Sequence, residues 1–150
     1  MTEGFLLQAA ETVDIVEPVV QFTEKIRGKE GVGEIYNLGL EDWFPESMGL
    51  GPYELVWNQW CVGQLNDVQF VAYLKRLPPV LKKGGWIVVK ENLSNAGEDV
   101  YDETDSSVTR TDEKFRALFE EAGLKIVSTE LQKGMVEGLY PVRAYALQPV

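Results

Sequence analysis

Five carboxylates fall within eight residues, at Glu98, Asp99, Asp102, Glu103 and Asp105, with Ser106 and Ser107 directly behind them. They follow the most apolar strand-like run of the chain, Gly85-Trp86-Ile87-Val88-Val89-Lys90. An acidic segment at the exit of a buried strand is where an α/β protein can hold something cationic. A solvated surface loop fits the same spacing, and both readings stay open. A second cluster, Trp57-Asn58-Gln59-Trp60-Cys61-Val62-Gly63-Gln64-Leu65, places Gln59 and Trp60 at the carboxyl end of another strand-like run. A polar amide there suits a cofactor, and an indole face can receive a proline or a cation, the latter for roughly 0.5–2 kcal/mol. Trp57 reads as core, whereas Trp60 reads as either core or site. Two weaker signals are Val16-Glu17, an acid at a strand end that could meet ribose hydroxyls, and Leu40-Glu41-Asp42-Trp43, where an adenine could lie. Each could equally be plain surface.

The elements that must position these residues alternate strand-like and helical runs, which predicts an α/β protein with a largely parallel sheet. Residues 2–10 read as a helix and 12–17 as a short buried strand. Pro18 suits a first helical position, with Val19, Phe22 and Ile26 keeping helical spacing up to a stop at Gly28. Ile35 to Leu38 and Tyr53 to Trp60 read as strands, the latter centred on Leu55, Val56 and Trp57. Asn66 or Asp67 caps a helix that buries Phe70, Val71, Leu74 and Leu77, and Pro78-Pro79 ends it. After a strand at 85–90 and the acidic loop, Thr111 caps a helix burying Phe115, Leu118 and Phe119, which Gly123 stops. Two last strands, near 124–131 and 140–148, form a hairpin.

The chain of 150 residues is long enough for one domain with a sizeable core. Its formal net charge of −10 makes nucleic acid an unfavourable partner and a basic peptide a better one. There is no histidine, so the usual neutral-pH base and metal ligand are both missing, and no metal site is expected. Cys61 is the single cysteine, which fits a reducing compartment. No run has membrane-spanning length, and the first ten residues lack a signal-peptide pattern. These features predict a soluble protein of the cytoplasm, with the nucleus as a second compartment.

Taken together, Trp57-Asn58-Gln59-Trp60-Cys61-Val62-Gly63, Lys90-Glu91-Asn92, and Asp102-Glu103-Thr104-Asp105-Ser106-Ser107-Val108-Thr109-Arg110 resemble the α-N-terminal protein methyltransferases. The similarity continues to Tyr140 and Ala144-Tyr145-Ala146-Leu147. The resemblance implies a Rossmann-like class I methyltransferase sheet with helices on both faces. It implies transfer of a methyl group from S-adenosyl-L-methionine to the free N-terminus of proteins beginning Xaa-Pro-Lys. Glu17, Leu40, Glu41 and Gln59 would then contact the methyl donor, with Glu17 on its ribose and Leu40 and Glu41 bordering its adenine. Trp60, Asn92, Asp102, Asp105 and Tyr140 would line the peptide channel. An α-amine has a pKa of roughly 7.7–8.0, so much of it is protonated near neutrality. Asp102 and Asp105 can attract that ammonium, and one of them, with Asp105 the residue assigned, can take its proton as a general base. Asn92 can orient the amine for attack.

Two departures from the family pattern bear on activity. Gln64 stands where the family usually has a histidine, and glutamine is no base at neutral pH. The chain also opens with Met1-Thr2-Glu3-Gly4-Phe5-Leu6-Leu7, which looks like the helix after the glycine-rich donor loop. The loop and the first, central strand are therefore expected to be missing. The strand ending at Glu17 and the strand ending near Trp60 would be left roughly 9.6 Å apart, twice the usual spacing of about 4.8 Å. On this reading the chain is the C-terminal two-thirds or so of the family fold, with weak or absent activity alone. The alternatives are a small-molecule methyltransferase, and a non-catalytic module that binds basic protein N-termini or a full-length partner.

Overall fold

A computed structural model describes residues 2–150; Met1, with which the sequence reading opens its first helix, lies outside them. The chain divides into two compact units, Met1–Trp43 and Phe44–Val150.

In the first unit, one π-helical turn (Thr2–Leu6) runs into α1 (Leu7–Ala9), as the helix expected at 2–10. Strand β1 (Val13–Val16) pairs in parallel with β2 (Val32–Tyr36), with Val16 opposite Tyr36. β1 is half-buried throughout, not buried as expected. The helix expected from Pro18 shrinks to one turn, α2 (Val20–Thr23), because the Glu17 carboxylate accepts the Val19 N–H and holds Val19 extended. Val19 and Phe22, which keep helical spacing in the sequence, are exposed. β2 starts earlier than the expected 35–38 because Gly33 lies within the strand. At Gly33 an added Cβ would stand 2.2 Å from Asp14 Oδ1, which accepts the Glu34 N–H across the strands. The strand stops where the Asn37 amide turns back to the Glu17 carbonyl and the Thr23 hydroxyl.

The second unit is built on a four-stranded sheet in the order β3 (Tyr53–Gln59), β4 (Leu81–Asn92), β8 (Val142–Pro149), β7 (Leu124–Leu131). Only β3 and β4 pair in parallel; β8 is antiparallel to both β4 and β7, giving the expected C-terminal hairpin. The sheet is therefore mixed: β3, β4 and β7 run the same way and β8 runs against them. It is a largely parallel sheet ending in an antiparallel hairpin, as the sequence pattern predicts. β4 starts four residues before the expected strand, with a register shift opposite Tyr53 to Leu55. Gly85 allows it, since a Cβ there would meet the Lys82 and Tyr53 carbonyls at 2.9 and 3.1 Å.

Helix α3 (Asp67–Lys75) begins at a reciprocal capping box, Asn66 with Gln69, and α4 (Asp112–Glu121) at Thr111, whose hydroxyl accepts the Lys114 N–H. Both helices cover one face of the sheet. Phe70, Phe115, Phe119 and Tyr145 meet there edge-on or stacked at centroid distances of 5.1–6.2 Å. Within this unit the opposite face leaves Leu55 and Trp86 exposed. The acidic segment, expected as a loop, is a small antiparallel hairpin of β5 (Val100–Asp102) and β6 (Ser107–Thr109). Its turn is held from within: Asp102 Oδ1 accepts the Thr104 N–H at 2.8 Å and Asp105 Oδ1 the Ser107 N–H at 3.0 Å.

Candidate functional site

Four of the residues singled out in the sequence border one cavity of about 450 Å³ in the second unit: Trp60, Asn92, Asp105 and Tyr140. They come from the end of β3, the end of β4, the hairpin turn and the segment before β8. Asp102, on the same hairpin, is exposed and lies outside the lining. Asp99 is committed elsewhere: its carboxylate accepts the Thr111 N–H at 2.9 Å and lies 3.7 Å from Lys114. Of the five clustered carboxylates, Asp105 alone is among the lining residues.

Trp60 is the residue that bends the chain out of the sheet. Its φ is +51°, in the left-handed region, and 57% of it is exposed, so the core reading does not hold for it. Its backbone N–H donates to the Lys90 carbonyl and its indole Nε1 donates to Asn92 Oδ1, both at 3.1 Å. Trp57 is half-buried and donates through Nε1 to Gln59 Oε1 at 3.1 Å. That bond fixes the Gln59 side chain on the Trp57 face of β3.

Two lining or supporting residues had no role assigned from sequence. Glu91, 7% exposed, accepts the Cys61 N–H at 2.8 Å and the Val62 N–H at 3.0 Å through one oxygen. Burial pushes its carboxyl above the ordinary value, against the opposing pull of the N–H groups of Val62, Cys61 and Asn92. Arg110 is fully buried and donates to the Val62 and Leu65 carbonyls at 3.3 and 2.6 Å and to Asp67 at 2.9 Å. The turn Val62–Gln64 is thus gripped by a carboxylate at its amides and a guanidinium at its carbonyls. Gly63, within it, approaches the hairpin so closely that a Cβ would stand 3.1 Å from the Val108 carbonyl. Both stand inside the quoted motifs, Glu91 between Lys90 and Asn92 and Arg110 closing the acidic block, with nothing in the pattern to give them a role.

The remaining expected residues sit in the first unit, except Gln59. Glu17 directly follows β1, and Leu40 and Glu41 form a 3₁₀ turn shortly after β2. The two strands are parallel, so all three residues gather at one carboxyl end, where open α/β sheets hold nucleoside-like ligands. One Glu17 oxygen is used by Val19, and the carboxylate remains half-exposed. This donor set fits a ribose diol beside an adenine.

A family model described as AdoMet dependent proline di-methyltransferase matches residues 1–148. The chain belongs to this family. Alpha N-terminal protein methyltransferase 1 of Schizosaccharomyces pombe is 43% identical to it, over 99% of this chain and 67% of that protein. The Drosophila melanogaster protein of the same name is 36% identical, over 100% of this chain and 56% of its own length. N-terminal Xaa-Pro-Lys N-methyltransferase 1 of Mus musculus is 33% identical, over 99% and 67%. The chain spans between half and two-thirds of the length of such relatives. Among solved structures, a SAM-dependent methyltransferase of Leishmania major superposes with a TM-score of 0.89 at 31% identity, covering 98% of this chain and 59% of that one. A Burkholderia thailandensis N1-methyltransferase, solved with S-adenosylhomocysteine, superposes at 0.76 and 17% identity over 99% and 66%. The fold is the Rossmann-like α/β fold of the class I methyltransferases.

Proposed function

We propose that this chain carries the peptide side of an S-adenosyl-L-methionine-dependent α-N-methyltransferase acting on proteins that begin Xaa-Pro-Lys. The observation that carries the reading is the convergence of Trp60, Asn92, Asp105 and Tyr140 on one cavity. The printed names of the relatives supply the substrate class. The net charge of −10 favours a basic N-terminus over nucleic acid.

S-adenosylmethionine, when bound, supplies an electrophilic methyl group; in the first unit Glu17 is assigned to its ribose and Leu40 and Glu41 to its adenine. Everything else falls to this chain's side chains. Asp105 attracts the protonated amine and takes its proton, leaving the nitrogen lone pair free to react. Asn92, fixed by the Trp60 indole, orients that nitrogen. The exposed indole face of Trp60 and the ring of Tyr140 border the space for the first two peptide residues. Asp102 and Glu103, exposed on the hairpin, suit the lysine at the third position.

The test is mass spectrometry of an Ala-Pro-Lys peptide and its N-acetylated twin after incubation with the purified chain and S-adenosylmethionine. Methylation confined to the free α-amine supports the reading. Methylation of the acetylated peptide overturns it. Peptide binding with no transfer favours the non-catalytic module.

A further inference from the structure

Three consecutive residues at the end of β4 catch three consecutive residues beyond β3. The Lys90 carbonyl takes the Trp60 N–H, the Glu91 carboxylate takes the N–H groups of Cys61 and Val62, and Asn92 takes the Trp60 indole. Trp60 at φ +51° carries a bulky side chain in the left-handed region, which persists only where surrounding bonds over-determine it. The bonds that do so here come from one strand end. A buried carboxylate is itself costly unless paired. Glu91's hydrogen-bond partners are backbone N–H groups, and the buried Arg110 adds a weaker electrostatic pull with no ion pair to Glu91 among the described residues. Such a carboxylate serves the geometry of the backbone that it binds.

We propose that Glu91 is a positioning residue: its carboxylate clamps the turn after β3 so that the Trp60 indole meets Asn92 at the mouth of the cavity. The inference rests on the reading that this cavity receives a peptide amine. It does not place Glu91 in contact with substrate. It assigns the residue to the orientation of two that are.

Glu91→Ala removes the clamp, whereas Glu91→Gln keeps an oxygen of the same reach that can accept both N–H groups. The experiment measures, in the full chain, residue-resolved amide exchange at Cys61 and Val62, the Trp60 indole N–H resonance, and affinity for an Ala-Pro-Lys peptide. In Glu91→Ala both amides should lose protection, the indole resonance should move, and peptide affinity should fall about tenfold or more. In Glu91→Gln all three should stay near the parent. Unchanged amides and indole in Glu91→Ala overturn the proposal, as does a Glu91→Gln protein that is folded and as impaired as the alanine variant. If Glu91→Ala does not fold, the glutamine variant decides alone. If the parent binds no peptide, the methyltransferase reading fails, while the exchange and indole data still decide the clamp.

Discussion

The Trp60 indole donates to Asn92 Oδ1 at 3.1 Å, so residues from two adjacent strand ends reach the cavity as one unit. Trp60→Phe keeps the ring and removes the donor. A net hydrogen bond contributes about 1 kcal/mol, so peptide kcat/KM should fall roughly fivefold. Asn92→Ala removes the other half and the group assigned to orient the amine, and should cost more. In the double variant the loss should be smaller than the product of the two single losses, because they share one bond. Strictly multiplicative effects on kcat/KM would show that the contact does not couple them.

Asp105 Oδ1 accepts the Ser107 N–H, a bond that an asparagine carbonyl can also accept. Asp105→Asn therefore tests basicity with the hairpin turn retained. Loss of a general base typically costs about 10²–10⁴ in rate. The expected outcome is a drop of that order in turnover, with S-adenosylmethionine binding kept, as read by calorimetry. Turnover within a few-fold of the parent would remove Asp105 from the role of base.

Gln64 borders the same cavity, exposed on the turn Val62–Gln64, and the chain contains no histidine. Gln64→His would place one group titrating near about pH 6.5 in an otherwise histidine-free protein. The rate at neutral pH should rise, with a new limb of the pH profile near that value. A profile identical to the parent's would mean that position 64 does not reach the reacting amine.

Where local chemistry decides, the sequence was readable. Asn66 and Thr111 cap their helices, Gly123 ends α4 at φ +75°, and Phe70, Phe115 and Phe119 are buried on the faces that their spacing indicates. The segment from Pro18 to Gly28 was misjudged because a single side-chain bond, Glu17 to the Val19 N–H, overrides helical spacing. The hairpin of β5 and β6 was hidden by its charges; its strand signal was only Val100-Tyr101 facing Ser107-Val108-Thr109. Trp60 and Asp105 stand out by residue type and place in the chain, but Asn92 and Tyr140 join them only through family motifs, since no periodicity brings together residues up to 80 positions apart. Glu91 and Arg110 stood inside those motifs without a role. Glu91 binds backbone N–H groups, Arg110 binds backbone carbonyls and an aspartate 43 positions away, and such partners leave no mark in a sequence.

Acid should loosen the cavity's supports before it unfolds the core. Burial acts to raise the Asp67 carboxyl, but the bonds from Arg110 and Lys114 outweigh it and hold the carboxyl below its ordinary 3.8. Asp112 behaves alike: burial raises it, and bonds from Tyr145 and Arg116 bring it below the same value. A carboxyl depressed in the folded state adds stability that is present above its unfolded pKa and is lost as pH falls through the lower folded value. Thermal unfolding followed from about pH 6 to about pH 2 should therefore show Asp67→Asn and Asp112→Asn less stable than the parent at the upper end, with the gap closing toward the lower. Both side chains are about a third or more exposed, at 42% and 35%, so screening keeps each gap modest and added salt should shrink it. A gap that stays constant across the range would show that these two carboxylates act through shape alone, not through their charge.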